Sequence, residues 1–218
     1  MGLETASHSK RSLVFIALRS GKLVMTVAPS TDGSIERINK LGRPVYERYF
    51  DELNGTIRSI GILQRKKYGE EALSECLNIE ITDNGITYVI NEFLTDRRAK
   101  EFINKILSEK RNIVGLPIAI KGYNFIAKDT GKELTGYNIF IDGVKLQNFA
   151  TKDNPNGLPP MVSVKVKGKE VWDDTEQIIF FTERFKEWLK GQTVVEQQTT
   201  TQPTQPTQPT QPDDDLPF

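Results

Sequence analysis

ECLNIEITDNGITYVINEF, residues 75–93, is the stretch that sets the expected fold. On both sides of Asn84-Gly85, apolar and polar side chains alternate, which is typical of strands with one buried face. Asn84 and Gly85 both tolerate positive φ, as a tight hairpin turn requires. The apolar positions are Leu77, Ile79, Ile81, Ile86, Tyr88 and Ile90. The stretch therefore predicts an antiparallel hairpin with one apolar face.

A helix is expected directly after this hairpin. Thr95 is a suitable N-cap, and Asp96 lies favourably in the first turn against the helix dipole. An apolar stripe at helical spacing follows. It comprises Ala99, Phe102, Ile103, Ile106 and Leu107. The helix should end near residues 111–112, because Gly115 and Pro117 follow.

Further strands are expected on both sides of this hairpin and helix. Residues 19–22 predict the turn of an N-terminal hairpin, and Asn54-Gly55 predicts a second tight turn. The expected strands cover residues 12–18, 23–27, 45–53, 56–64, 116–123, 137–141 and 162–166. Asp142-Gly143 predicts a bend, past which residues 144–149 continue the strand. The segment between the first two hairpins is expected to be a polar connector.

These elements indicate a mainly β protein with helices. If residues 56–64 are the first strand, the order is three strands, a helix and two strands. This order favours an OB-fold-like five-stranded barrel. An added N-terminal hairpin, a C-terminal helix and a disordered tail complete the expected fold. Another small β-barrel or a sandwich with one covering helix is the alternative.

The expected domains follow from this order of elements. They are an N-terminal extension and hairpin (1–44), the barrel (45–150), a loop, strand and amphipathic helix packed on it (151–190), a disordered linker (191–212) and an acidic tip (213–218).

The C-terminal part of the body allows two interpretations. Residues 174–190 fit one helix, whereas residues 177–181 could also be a strand followed by a helix that begins at Thr182. We favour the single helix. Its apolar face carries Ile178, Phe181, Phe185, Trp188 and Leu189. This face could pack on the barrel or on a second subunit of a homo-oligomer.

Charge divides the chain into two parts. Residues 191–218 hold four acids and no Lys or Arg, so the rest of the 218-residue chain carries 29 basic against 25 acidic side chains, a net charge of +4. A mildly basic body with an acidic tail is typical of a nucleic-acid binder with an interaction tail.

Composition also argues against several classes of protein. One cysteine, Cys76, excludes an internal disulfide and a Cys-rich zinc site. His8 is the single histidine, so no nucleophile–base pair is evident, and no phosphate-binding glycine loop occurs. We therefore expect no enzyme activity, no cofactor and no metal. Without a membrane-spanning stretch or a signal peptide, the expected location is cytoplasmic, in a host cell if the chain is virus-encoded.

The C-terminus carries the most specific motif of the chain. Residues 201–212 repeat Thr-Gln-Pro four times and offer no apolar side chain to bury, which predicts disorder. The chain then ends in three carboxylates and an apolar triplet. These residues are Asp213, Asp214, Asp215, Leu216, Pro217 and Phe218. An extended repeat would hold this acidic and apolar tip away from the body.

The tip and the repeat together resemble the C-termini of bacterial and phage single-stranded DNA-binding proteins. In that family an Asp-rich run closed by an apolar-Pro-Phe terminus follows a disordered linker. The resemblance covers the tail and the domain-plus-tail layout, and the body aligns with no particular member. It implies a protein that coats single-stranded DNA (ssDNA) and recruits DNA replication, repair and recombination proteins through residues 213–218.

The body supplies residue types that suit such a role. A binder of single strands without strong sequence preference needs aromatic faces for bases and cations for phosphates. Three segments interleave the two. The candidates are Tyr46, Arg48 and Tyr49; Arg58, Arg65, Lys66, Lys67 and Tyr68; and Lys121, Tyr123, Phe125, Lys128, Lys132 and Tyr137.

Two other classes of function stay open at this point. A protein-interaction adaptor or virion component would use the β-domain to bind protein, with the tail docking onto replication machinery. A subunit of a nucleic-acid enzyme is disfavoured by the missing catalytic residues.

Overall fold

A ten-stranded sheet, two helices and a separate two-stranded ribbon make up the protein in this computed structural model. The structure describes residues 13–39, 41–67, 69–128, 131–166 and 169–192. The strands of the large sheet are β1 (Leu13–Arg19), β2 (Lys22–Val27), β3 (Ile35–Ile38), β4 (Pro44–Phe50), β5 (Glu52–Lys66), β6 (Leu73–Asp83), β7 (Ile86–Phe93), β8 (Pro117–Ile126), β9 (Glu133–Ile141) and β10 (Val144–Lys145).

The helices are α1 (Arg97–Ile106) and α2 (Thr175–Leu189), and the ribbon consists of β11 (Val162–Val166) and β12 (Lys169–Asp173). Among the described residues, no helix has the length and apolar character that a membrane crossing needs. The N-terminal residues 1–12, most of the predicted linker and the tip lie outside the described residues.

Strand order shows that the predicted OB-fold barrel is wrong. The order in the sheet is β10-β9-β8-β5-β6-β7-β1-β2-β4-β3. A barrel made of β5 to β9 would close by pairing β7 with β9. Instead β7 pairs in parallel with β1, and β9 pairs with β10. The N-terminal hairpin thus occupies the edge that closure would require, and the described strands form an open mixed sheet.

The sheet nevertheless curls around one core. β2 contacts β8, although the two strands share no hydrogen-bonded ladder. The core side chains come from β1, β2, β5 to β9 and both helices. Leu77, Ile79 and Ile81, the predicted apolar face of β6, are almost fully buried in it. The alternation in β6 therefore identified the centre of the core correctly. On β7 the prediction holds for Ile90, which is fully buried, but not for Ile86, which is 37% exposed.

Helix α1 bridges the two strands that do not pair. It contacts both β9 and β7. The ring of Phe102 meets the ring of Tyr137 on β9 edge-on, with centroids 5.6 Å apart. Apolar contact with α1 thus takes the place of hydrogen bonds between β7 and β9.

A buried carboxylate connects these elements. Tyr137 donates a hydrogen bond to Glu92 on β7 at 2.7 Å, and Arg98 on α1 lies 3.3 Å from the same carboxylate. Arg98 also donates to the carbonyl oxygen of Leu18 on β1 at 2.9 Å. Burial raises the pKa of Glu92 above its ordinary value, and Arg98 and Tyr137 offset part of that shift.

Three predicted tight turns are confirmed. Ser20-Gly21, Asn84-Gly85 and Asp142-Gly143 all have positive φ, and each joins two antiparallel strands. Paired positive φ values match the right-handed twist of the flanking strands. Turn chemistry alone was sufficient to locate these three hairpins.

The turn predicted at Asn54-Gly55 is wrong, because β5 runs straight through it. Asn54 and Gly55 pair with Ala119 and Ile118 of β8. A Cβ on Gly55 would lie 2.6 Å from Cγ2 of Ile81 and 2.7 Å from the carbonyl oxygen of Thr82. Glycine is needed here for close packing against β6, so the same dipeptide that signals a turn serves a different purpose.

The helices agree with the sequence in kind and differ in detail. α1 begins after Asp96, not after Thr95, and ends at Ile106, before the predicted residues 111–112. The single C-terminal helix is confirmed as α2. Its Phe181 and Phe185 are buried in the monomer's own core.

Two strands were missed. β3 lies in the segment expected to be a polar connector, and β12 pairs with β11 to form the ribbon. Both contain adjacent charged residues, in Ile-Glu-Arg-Ile and Lys-Glu-Val-Trp-Asp, so apolar and polar side chains do not alternate along them.

We predict that Tyr137→Phe destabilises the protein by about 1–3 kcal/mol, because it leaves the buried Glu92 carboxylate without one donor. Urea unfolding would measure the loss. Tyr46→Phe is the matched control, since the Tyr46 hydroxyl donates to Glu36 at an exposed site, 3.0 Å away. The control should change stability by less than about 0.5 kcal/mol. Equal losses in both variants would contradict the role of the buried network.

Glu92 should also make stability depend on pH. The pKa of Glu92 is raised in the folded state. At pH values between the ordinary and the raised pKa, the folded protein therefore still holds a proton that the unfolded chain has released. The free energy of unfolding should therefore fall as pH rises through this window. Glu92→Gln removes this titration. Urea unfolding at several pH values should show wild type losing stability relative to the variant as pH rises; a difference that is constant with pH would contradict this.

Gly55→Ala should cost about 1–3 kcal/mol in the free energy of unfolding, because the added methyl group overpacks β5 against β6. Gly61→Ala, in the same strand, is the control. A Cβ at Gly61 has no atom within 4 Å. Thermal or urea unfolding would compare the two. The account of Gly55 fails if both variants are equally stable.

Candidate nucleic-acid interface

An open cleft of about 540 Å³ lies where β8, β9 and α1 meet the segment that follows β9. Its lining combines aromatic rings, lysines and side-chain amides. The lining residues are Glu101, Lys105, Tyr123, Asn124, Phe125, Asn138, Lys145, Leu146, Gln147 and Asn148.

Strand alternation explains why the lining side chains of β8 face away from the core. On β8, Ile118 and Ile120 are buried, so Lys121, Tyr123 and Phe125 occupy the opposite face. In the sequence, Lys121, Tyr123 and Phe125 continue the alternation with Ile118 and Ile120, a pattern that predicts this opposite face. The β8–β9 register then places Asn138 beside Lys121 and Gly136 beside Tyr123.

Two aromatic rings form the floor of the cleft. Tyr123 and Phe125 are stacked, with ring centroids 5.8 Å apart and an interplanar angle of 27°. Phe125 is 52% exposed, so a face or edge of its ring is open to a ligand. Offset stacking of this kind leaves a broad apolar surface on which another planar ring can lie.

Tyr123 is held in place by the helix. Its hydroxyl donates to Glu101, whose Oε1 also accepts from Lys105 at 3.0 Å. Burial and the bond to Glu101 raise the pKa of Tyr123, so its hydroxyl stays protonated. A Cβ on Gly136 would lie 2.4 Å from the Glu101 carboxylate, so the contact needs glycine at that position.

Lysines surround the aromatic pair. Nζ of Lys105 lies 5.8 Å from the centre of the Tyr123 ring. Next to the cleft, Lys121 lies 5.5 Å from the Phe140 ring centre and 3.1 Å from Glu52. Lys145 adds a third cation at the opposite wall. Stacking surface, cations and amides together can hold a planar ring and an adjacent anionic group.

The third predicted group contributes most of its members to this region. Lys121, Tyr123 and Phe125 lie at the cleft, and Lys128 and Lys132 lie in the connection between β8 and β9. Tyr137 does not belong there. It is 1% exposed and faces the core, so the prediction that it contacts DNA is wrong. In β9 it lies one residue beyond Gly136, and this single step places it on the buried face.

The first predicted group lies on β4, between β2 and β3, and is not part of the cleft. Tyr46 and Arg48 share one face of that strand, and Arg48 lies 5.5 Å from the Phe50 ring centre. Tyr49 lies on the other face and donates to Glu47 at 2.8 Å.

Glu47 is buried on that second face and is held by two arginines. Arg37 donates to it at 2.9 Å, and Arg19 lies 3.3 Å away. The hydrogen bond from Arg37 is the main reason why the pKa of Glu47 is below its ordinary value. The Tyr49 hydroxyl is thus committed to Glu47, which pairs in turn with Arg37 on β3 and Arg19 on β1.

The second predicted group lies in the C-terminal part of β5 and in the residues that follow it. Arg58 lies 3.8 Å from Glu80, and the Arg65 guanidinium lies 5.6 Å from the Phe15 ring centre. Lys66 is exposed. Lys67 donates to Oγ1 of Thr95 at 2.7 Å. Tyr68 lies outside the described residues.

Sequence reasoning missed eight of the ten cleft residues. They are Glu101, Lys105, Asn124, Asn138, Lys145, Leu146, Gln147 and Asn148. Asn138 could have been found from the β8–β9 register, since it lies opposite Lys121. Lys105 lies one helical turn after Glu101, on the polar side of the predicted stripe. Only the fold brings the segment after β9 to this helix, where Asn104 exchanges two hydrogen bonds with Ala150.

The described residues contain no group of three or more metal-ligating side chains. Cys76 is buried, and burial raises the pKa of its thiol, so it is not a reactive thiolate. The cleft is therefore the strongest candidate site within the part of the chain that the structure describes.

Comparison of the chain with protein-family models, with curated proteins and with solved structures found no match. Inference about function therefore depends on the chemistry of the cleft and on the sequence of the C-terminus.

Proposed function

We propose that this protein binds single-stranded DNA without strong sequence preference and does not act as an enzyme. The observation that carries the proposal is the stacked pair of Tyr123 and Phe125, with Lys105 and Lys145 in the same lining and Lys121 next to it on β8. Bases of a single strand have open faces that can stack on such rings, and its phosphates follow the lysines. In a duplex the base faces are covered by neighbouring pairs, so the same cleft discriminates against double strands.

The electrostatics of the cleft suit a polyanion. Glu101 is the one carboxylate among the lining residues, and it is occupied by Tyr123 and Lys105. Lys105 is buried and neutralises Glu101, so Lys145 leaves the lining with a net positive charge. Release of counterions from the bound strand makes affinity fall as salt rises.

The C-terminal sequence supplies the second half of the proposal. Asp213 to Asp215 and Phe218 are the residue types that a basic-rimmed apolar pocket on a partner recognises. We propose that this tip recruits replication, repair and recombination proteins to the coated strand in the cytoplasm. Its support is the resemblance to the termini of single-stranded DNA-binding proteins.

Phe125→Ala should raise the dissociation constant for a labelled mixed-sequence single strand by about 5- to 150-fold, the effect of losing one stacked base. Fluorescence anisotropy of the full-length protein would measure it. Ile126→Ala is the matched control: its side chain is 69% exposed and lies on the opposite face of the same strand. The control should bind as wild type does.

Equal affinities of the Phe125 and Ile126 variants would remove the cleft from the DNA-binding surface. If wild type itself showed no affinity for the single strand, the role of the body as a protein-interaction adaptor would become the leading hypothesis.

A further inference from the structure

The β11–β12 ribbon stands apart from the main sheet. Its two strands pair with each other and, among the described residues, with no other strand. A two-stranded ribbon gains little stability by itself in water. It nevertheless carries Trp172, which is 62% exposed. A large aromatic side chain at such a place is suited to contact a partner.

The register separates the ribbon into two different faces. Trp172 lies opposite Ser163, and Lys165 lies opposite Glu170, so these four residues share the polar face. Val164 and Val171 pair on the other face. The indole thus stands on the polar side, diagonal to an exposed lysine.

The base of the ribbon is attached to α1, the helix that also lines the cleft. Asp174, the residue after β12, forms an ion pair with Lys100 on α1. Lys100 precedes Glu101, which holds Tyr123 in the cleft. On the incoming side, Gln177 donates to the carbonyl oxygen of Pro159 at 2.9 Å. Ribbon and cleft are therefore attached to adjacent residues of one helix.

We propose that a single strand leaving the cleft continues along the ribbon, where Trp172 stacks on a further base. This inference rests on the proposed function. An exposed indole diagonal to Lys165 suits a base followed by a phosphate in ssDNA. A protein partner would be expected to use the face of Val164 and Val171 instead.

The two tryptophans of the chain allow a direct test. Trp188 is stacked on Phe185, with ring centroids 5.7 Å apart, and donates to the carbonyl oxygen of Glu109 at 2.7 Å. Trp188→Phe leaves Trp172 as the only indole, and Trp172→Phe leaves Trp188. Each full-length variant would be titrated with unlabelled oligothymidylate while tryptophan emission is followed. We expect strong quenching in Trp188→Phe and almost none in Trp172→Phe.

Binding itself would be followed in parallel by anisotropy, in the otherwise wild-type chain. Trp172→Ala should raise the dissociation constant about fivefold or more, while Trp172→Phe retains most of the affinity. This second measurement does not depend on the folding of the Trp188 variant.

Two outcomes would overturn the inference and leave the proposed function intact. In one, DNA binds with unchanged affinity to Trp172→Ala and does not alter Trp172 emission. In the other, Trp172 emission follows protein concentration and not DNA, which would identify the ribbon as a self-association surface. Absence of DNA binding by wild type would instead refute the proposed function, and the inference with it.

Discussion

The buried carboxylate of Glu92 is the interaction on which the arrangement of this protein depends. It accepts from Tyr137 of β9 and pairs with Arg98 of α1, and Arg98 extends to the carbonyl of Leu18 on β1. A charge in such a place is costly unless it is paired and hydrogen-bonded. Four elements must therefore keep their relative positions for the carboxylate to be satisfied.

Helix α1 takes part both in this buried network and in the cleft at the surface. Arg98 and Phe102 of α1 face the core, while Glu101 and Lys105 form the wall of the cleft and fix Tyr123. One end of the ribbon is also anchored on α1, through Lys100. Helix α1 packs against both β7 and β9, which fixes the backbone position of its outer residues. A rigid aromatic platform loses little conformational entropy when it binds.

Local patterns predicted the parts of the fold that local chemistry determines. Alternation located β6 and β7, and residues that tolerate positive φ marked three hairpins. The prediction of a barrel was wrong because β1 pairs in parallel with β7. This pairing joins residues more than 70 positions apart, and no local sequence pattern encodes it. The turn predicted at Asn54-Gly55 was wrong because Gly55 is needed there for close packing against β6. At the candidate site, Tyr123 and Phe125 followed from alternation, whereas the α1 wall required the tertiary structure.

The most direct test of the account is a titration of the full-length protein with a labelled mixed-sequence single strand and with the matching duplex, at low and at high salt. We predict tight binding to the single strand, much weaker binding to the duplex, and affinity that falls as salt rises. Equal and weak binding to both forms of DNA would contradict the account.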